Sequence, residues 1–290
     1  MTAMKVREAY MRASSFLREH GIDEANASAE MLLQHVLGVT RTRLLLMWSD
    51  PMETDAFDTL WELLQRRASG EPVQYIIGET YFYGLPFRVS RDVLIPRPET
   101  ELLVERIAAL GSGLWSGEDQ PLAVDAGTGS GAIAVALAAK LPNWRFAATD
   151  ISAPALETAR LNARLNGVDG RIEFLEGDLL APVSGKPVDI LVSNPPYIPS
   201  GDIGGLQTEV REFEPHLALD GGADGLEPYR RLLRQMGDFG LRPRLAGFEV
   251  GMGQAPELAA MLQAEGRWEE IIVVADLAGI ERHVIALAGG

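Results

Sequence analysis

Val192-Ser193-Asn194-Pro195-Pro196-Tyr197 brings an amide, two prolines and an aromatic ring together in one short stretch. The run leading into it, Val188-Asp189-Ile190-Leu191-Val192, is apolar enough to read as a buried strand, so these groups sit at a strand's carboxyl end. Their chemistry suits one task, the holding of a flat, weakly nucleophilic NH2 group. The Asn194 side-chain carbonyl can accept one N–H. Pro195, with no N–H and a fixed φ, presents its backbone carbonyl as a rigid second acceptor. Pro196 and Tyr197 complete the stretch, and Tyr197 offers an aromatic face on which a planar amide or a base can stack. The plainer alternative is a strand that ends in a proline-rich turn.

Upstream, Leu122-Ala123-Val124-Asp125-Ala126 reads as another strand and runs into Gly127-Thr128-Gly129-Ser130-Gly131, after which Ala132–Ala139 is strongly helix-forming. Glycines in such a loop let a ligand approach the backbone closely. Gly127, Gly129 and Ala132 also fit the dinucleotide fingerprint, so the loop alone does not separate a nicotinamide cofactor from an adenosyl one. The next strand, Trp144–Asp150, ends in an acid able to accept hydrogen bonds from both hydroxyls of a ribose. Asp150 can equally cap the helix that follows, a role Ser152 also fills. A third strand leads from Ile172 to Asp178 and Leu179; the acid can take the exocyclic amine of an adenine, with the Leu179 N–H beside the ring. A solvated loop acid is the alternative for Asp178. A Gly-rich loop, a ribose acid, an adenine acid and Asn-Pro-Pro-Tyr, each after a successive strand, resemble the Rossmann-like S-adenosylmethionine-dependent methyltransferases that act on planar nitrogens.

Flanking motifs narrow the resemblance. They are Gly70-Glu71-Pro72-Val73-Gln74-Tyr75-Ile76-Ile77-Gly78, Phe82–Phe87, Val93-Leu94-Ile95-Pro96-Arg97-Pro98-Glu99-Thr100-Glu101, Phe213–Leu219 and Asp276–Arg282. With them, almost the whole chain is similar to the protein-(glutamine-N5) methyltransferases of peptide chain release factors, the PrmC/HemK family. The resemblance implies methyl transfer from S-adenosylmethionine, with S-adenosylhomocysteine as product, to the glutamine of the Gly-Gly-Gln loop of class I release factors. It further implies that Asn194, Pro195, Pro196 and Tyr197 take the substrate glutamine. Gly127, Thr128, Gly129, Ser130, Gly131, Asp150, Asp178, Leu179 and Asn194 would line the cofactor site, and Ile95–Glu101 would lie over it.

Two kinds of element must position these groups. Residues 1–75 read as a small helical bundle, with helices predicted over Met4–Glu19, Asp23–Leu37, Thr40–Trp48 and Thr54–Ser69, and are expected to recognise the substrate. Residues 76–97 suit a hairpin linker around Gly84. Over residues 98–290 strands and helices alternate, predicting an open, mostly parallel α/β sheet with helices on both faces, the catalytic domain. Ligands in such sheets bind at the strands' carboxyl ends, where every motif falls. Ile198–Leu226 reads as one long loop, a length that is usually functional.

Composition limits the alternatives. The absence of cysteine rules out disulfides, thiolate metal sites and cysteine nucleophiles, and four scattered histidines suggest no metal site. The N-terminus lacks a signal-peptide pattern and no apolar run reaches membrane-spanning length, so a cytoplasmic protein without a membrane partner is expected. A formal net charge of −15 repels phosphate backbones. It weighs against the main alternative, an adenine-N6 methyltransferase acting on DNA or RNA, whose target amine poses the same geometric problem. A non-catalytic adenosyl-binding module would not need the acceptor pair, and no hydride-transfer residues suggest a dehydrogenase.

Overall fold

A computed structural model describes residues 4–289. The chain divides into two units, Met1–Gly78 with Gln207–Phe213, and Glu79–Leu206 with Glu214–Gly290.

In the first unit, α1 (Val6–Glu19), α2 (Ala25–Leu37), α3 (Arg41–Leu46), α4 (Thr54–Ala68) and α5 (Val73–Ile77) follow one another closely. On α1 the buried Val6, Ala9, Ala13 and Leu17 recur at helical spacing and meet Ala29, Leu32 and Leu33 of α2 and Leu60 and Leu64 of α4 in one core. Gly38 ends α2 in the left-handed conformation, as a helix stop signal requires. The segment Gln207–Phe213 joins this unit, although it lies within the stretch expected to be one long loop. Buried Arg67 holds it: the guanidinium donates to Ser28 Oγ at 3.3 Å, to the Glu71 carbonyl at 3.2 Å and to Glu209 Oε2 at 2.8 Å.

The second unit opens with a hairpin, β1 (Glu79–Phe82) and β2 (Leu85–Arg88). The hairpin expected as a linker is part of this unit's core, because Phe82 and Phe87 meet edge to face and are fully buried with Leu103 and Ile107. Then come α6 (Pro98–Leu114), β3 (Leu122–Ala126), α7 (Ala132–Lys140), β4 (Arg145–Asp150), α8 (Ala153–Leu165), β5 (Ile172–Glu176) and β6 (Ile190–Ser193). After α9 (Thr208–Phe213), which lies in the first unit, follow α10 (Glu227–Asp238), β7 (Leu245–Glu249), α11 (Ala255–Ala264), β8 (Trp268–Ala275) and β9 (Glu281–Ala288).

The sheet has seven strands in the order β5-β4-β3-β6-β7-β9-β8, parallel except for β9, which is antiparallel to both neighbours. Successive side chains alternate between two cores, as a strand's period of two demands. Ala123, Phe146, Ile190 and Val192 pack toward α6 and α7, whereas Val124, Ala147, Leu191 and Phe248 pack toward α10 and α11. The chain order reverses between β3 and β6, so a crevice opens at their carboxyl ends, where doubly wound sheets bind ligands. No helix among the described residues is long and apolar enough to cross a membrane.

Candidate active site

A cavity of about 230 Å³ fills that crevice. Its floor is the loop after β3. Gly129 takes φ +55°, which a side chain rarely adopts, and its N–H donates to Asp150 Oδ2 at 2.8 Å. A Cβ placed on Gly127 or Gly129 would meet nothing within 4 Å, so the glycines leave the loop's cavity side open for a ligand. Gly131 packs against α8 instead: a Cβ there would come 3.1 Å from Ala159. Below the loop, Asp125 ties strand to helix, accepting from Thr128 Oγ1 at 2.6 Å and the Ala134 N–H at 3.1 Å through one oxygen. Its other oxygen is buried with no partner among the described residues, and burial pushes the carboxyl up to about 6.

Asp150 ends β4 at the cavity wall. Each of its oxygens accepts one backbone N–H, from Gly129 and, at 2.9 Å, from Ser152. Each oxygen therefore keeps capacity for a second donor. Burial raises this carboxyl above its ordinary value, against the lowering effect of those N–H groups. The capping role belongs to Ser152, whose Oγ accepts from the Ala155 N–H. Asp178 also lines the cavity, but it is not a free loop acid. Arg231 of α10 approaches its Oδ1 at 2.5 Å and Gln235 donates to its Oδ2 at 2.8 Å. Leu179 beside it holds φ +48°, a left-handed conformation costly for a branched residue, and its N–H has no partner among the described residues.

The opposite wall comes from β6. Asn194 and Pro196 line the cavity, while Pro195 is buried and the Tyr197 ring packs against the core on the α10 and α11 side. Burial raises the Tyr197 phenol to about 12, and its main-chain carbonyl accepts from Gln254 Nε2 at 2.9 Å. Asn194 Nδ2 donates inward to Thr100 Oγ1 at 3.2 Å. Neither Asn194 Oδ1 nor the Pro195 carbonyl accepts a hydrogen bond among the described residues. Two acceptors on successive residues thus stand without donors among the described residues, and the first of the two residues lines the cavity.

Pro96, Arg97 and Thr100 cover the cavity from the segment entering α6, whereas Ile95 is buried and Glu101 accepts from the Tyr83 N–H at 2.6 Å. The long segment after β6 supplies Pro215, Leu217, Ala218 and Asp220 to the same wall. A single Arg97 nitrogen donates to both oxygens of buried Glu214, at 2.6 and 2.7 Å, pinning the two covering segments to each other. No group of His, Asp and Glu side chains suited to a metal ion occurs among the described residues.

Residues 8–78 match the family model described as the PrmC N-terminal domain, and residues 98–209 match the one described as the methyltransferase small domain. Over 98% of both chains, the sequence is 42% identical to the release factor glutamine methyltransferase of Moorella thermoacetica. It is 39% identical to that of Bacillus subtilis, over 97% of this chain and 96% of the other. The chain belongs to the release factor glutamine methyltransferase family. The crystal structure of the N-terminal domain of human METTL16 in complex with SAH covers 72% of this chain and 77% of its own, with a TM-score of 0.53 at 18% identity, a likeness of fold. A human methyltransferase 10 domain containing protein gives 0.51 at 20% identity, over 71% of this chain and 90% of its own.

Gly127 to Ser130, Asp150, Asp178, Leu179, Asn194 and Pro196 meet at the cavity, but the partners of several side chains around them carried no local signal. Thr100, Arg97, Glu214, Arg231, Gln235 and Glu249 act through pairs remote in sequence, up to 149 positions apart. Only the covarying identity of such partners, or the structure, can reveal them.

Proposed function

We propose that this protein methylates the side-chain amide nitrogen of the glutamine in the Gly-Gly-Gln loop of class I release factors, using S-adenosylmethionine. One observation carries the reading furthest: Asn194, which lines the cavity, and the next residue Pro195 each hold an oxygen acceptor, Oδ1 and the main-chain carbonyl, without a donor among the described residues, and a primary amide brings two N–H donors. When bound, S-adenosylmethionine supplies an electrophilic methyl group. The donor set fits it: the open backbone at Gly127 and Gly129, with Thr128, Ser130 and Gly131 shaping the loop, borders its site, and Asp150 retains acceptor capacity for ribose hydroxyls. Asp178, held by Arg231 and Gln235, and the unpaired N–H of Leu179 suit the adenine edge.

An amide nitrogen is a poor nucleophile because its lone pair is delocalised into the carbonyl. Asn194 and Pro195 hold both N–H groups, fix the nitrogen's direction and favour the positive charge that builds on it as it is alkylated. Pro196 completes the wall beside the amide, while the Tyr197 ring, expected to stack on the substrate, packs into the core behind it. No base is needed beforehand, since the alkylated nitrogen is acidic and loses its proton afterwards. The helical unit is the part we assign to recognition of the folded release factor, and the reaction belongs in the cytoplasm with the translation machinery.

The test offers a release factor and adenine-containing DNA together at low salt with labelled S-adenosylmethionine, and maps the methyl by mass spectrometry. Label on the Gly-Gly-Gln glutamine is expected. Preferential label on the DNA would replace this reading with an adenine methyltransferase, despite the net charge of −15.

A further inference from the structure

Behind Asn194 runs a buried polar chain that no sequence motif announced. Asn194 Nδ2 donates to Thr100 Oγ1 at 3.2 Å, and Thr100 Oγ1 donates to Glu249 Oε2 at 2.6 Å. Thr100 and Glu249 are 3% and 2% exposed, so water does not compete for either contact. The same Glu249 oxygen lies 3.7 Å from Nε2 of fully buried His283, its cross-strand partner in the β7–β9 register. The strand end is held by the Tyr229 hydroxyl, which donates to the Glu249 carbonyl at 2.6 Å. Three elements therefore meet here, the first turn of α6, the carboxyl end of β7 and β9.

The chemistry gives this chain a direction. A carboxylate can only accept, so the Thr100 hydroxyl must spend its single proton on Glu249. The Thr100 oxygen then has only lone pairs to offer, and the group facing it from Asn194 must be the NH2. That leaves Oδ1, and not the NH2, on the open side of the carboxamide. An Asn free to flip would present donors to the substrate half the time, and two donors would meet the N–H groups of a primary amide.

We infer that Thr100 and Glu249 are positioning residues that lock the Asn194 carboxamide with Oδ1 toward the substrate. The inference rests on the amide-binding role assigned to Asn194 above. Thr100 touches no reacting atom in this account; it acts through Asn194.

The test compares wild type with Thr100→Val, which keeps the shape and removes the hydroxyl, and Thr100→Ser, which restores the hydroxyl. Single-turnover methyl transfer to a release factor is measured beside equilibrium binding of S-adenosylmethionine and thermal unfolding. Thr100→Val should slow methyl transfer by about 10²-fold, the scale of a small misplacement at a reacting group. Thr100 also lines the cavity, so cofactor affinity is read beside the rate and should fall far less than the rate does, and Thr100→Ser should recover most of the rate. Glu249→Gln, whose amide can donate as well as accept, should also slow transfer although the Thr100 hydroxyl is present. A readout independent of activity uses ¹⁵N-labelled protein, with the Asn194 NH2 signals assigned by their loss in Asn194→Ala. One of the two protons should be protected from exchange in wild type and Thr100→Ser, and neither in Thr100→Val.

Full activity in Thr100→Val, or equal losses in Thr100→Val and Thr100→Ser, would overturn the positioning role. Unprotected Asn194 protons in wild type would overturn the lock itself. A wild-type protein with protected protons that leaves the glutamine unmethylated would instead uphold the lock and refute the amide-binding function.

Discussion

Asp125 and Val192 are neighbours in parallel register on β3 and β6, and each stands two positions before one half of the site. Gly127 follows the first and Asn194 the second, so strand pairing alone brings the glycine loop abreast of Asn194 and Pro195. Ser193 Oγ reinforces the alignment by donating to the Ala126 carbonyl at 2.6 Å. The crevice at the switch point of the sheet is thus built by register before any side chain contributes to it.

Asp125 should make stability fall with rising pH. Its carboxyl is raised from 3.8 to about 6 by burial, with Thr128 and Ala134 opposing, so the folded state favours the protonated form. Its contribution is fully present below pH 3.8 and is lost as the pH rises through about 6. The difference is about 3 kcal/mol at 1.36 kcal/mol per unit. Chemical denaturation of wild type and Asp125→Asn between pH 4 and 8 checks this. The variant should gain on wild type up to about pH 6 and run parallel to it above, and curves parallel below pH 6 would refute the assignment.

Asp150 should govern cofactor binding and its pH dependence. Asp150→Ala should weaken S-adenosylmethionine by about 10- to 100-fold, the scale of hydrogen bonds to a charged group. Because burial raises this carboxyl, wild-type affinity should fall on acidification, and at a higher pH than a solvated aspartate would give. Isothermal calorimetry of both proteins across pH measures this; Asp150→Ala should lose the dependence along with the affinity.

Arg97 should be structural and functional at once. Arg97→Ala takes a cation from Glu214, whose side chain is 2% exposed, and should destabilise the protein by about 3 kcal/mol. Since Arg97 and Pro215 both line the cavity, cofactor affinity should drop as well. Thermal unfolding with and without S-adenosylmethionine reads both effects. An unchanged melting temperature would show that the covering segments hold without this pair.

The parts legible in the sequence are those whose chemistry is local. Strands β3 to β6 stand out in the sequence, and Gly127, Asp150, Asp178 and Asn194 stand at or just after their ends in that order. The helices of the first unit stand out by the spacing of residues such as Leu32 and Val36. What stayed hidden depends on partners distant in the chain. The Thr208–Phe213 helix has too few residues for a periodic signal, and it joins the first unit through Glu209 meeting Arg67, 142 positions earlier. Asp178 read as an adenine acid or a solvated loop acid, and neither reading held Arg231 and Gln235, which reach it from α10. Thr100 read only as part of the Ile95–Glu101 cover, and only the approach of β7 gives it Glu249.

The central claim is that the Asn194 and Pro195 acceptors hold the substrate amide. The most direct measurement is the single-turnover rate of methyl transfer to a release factor by Asn194→Ala at saturating S-adenosylmethionine. Removing one preorganised polar contact of this kind slows the chemical step by about 10²–10³-fold, and that loss is the expected result. A rate near that of wild type would contradict the claim.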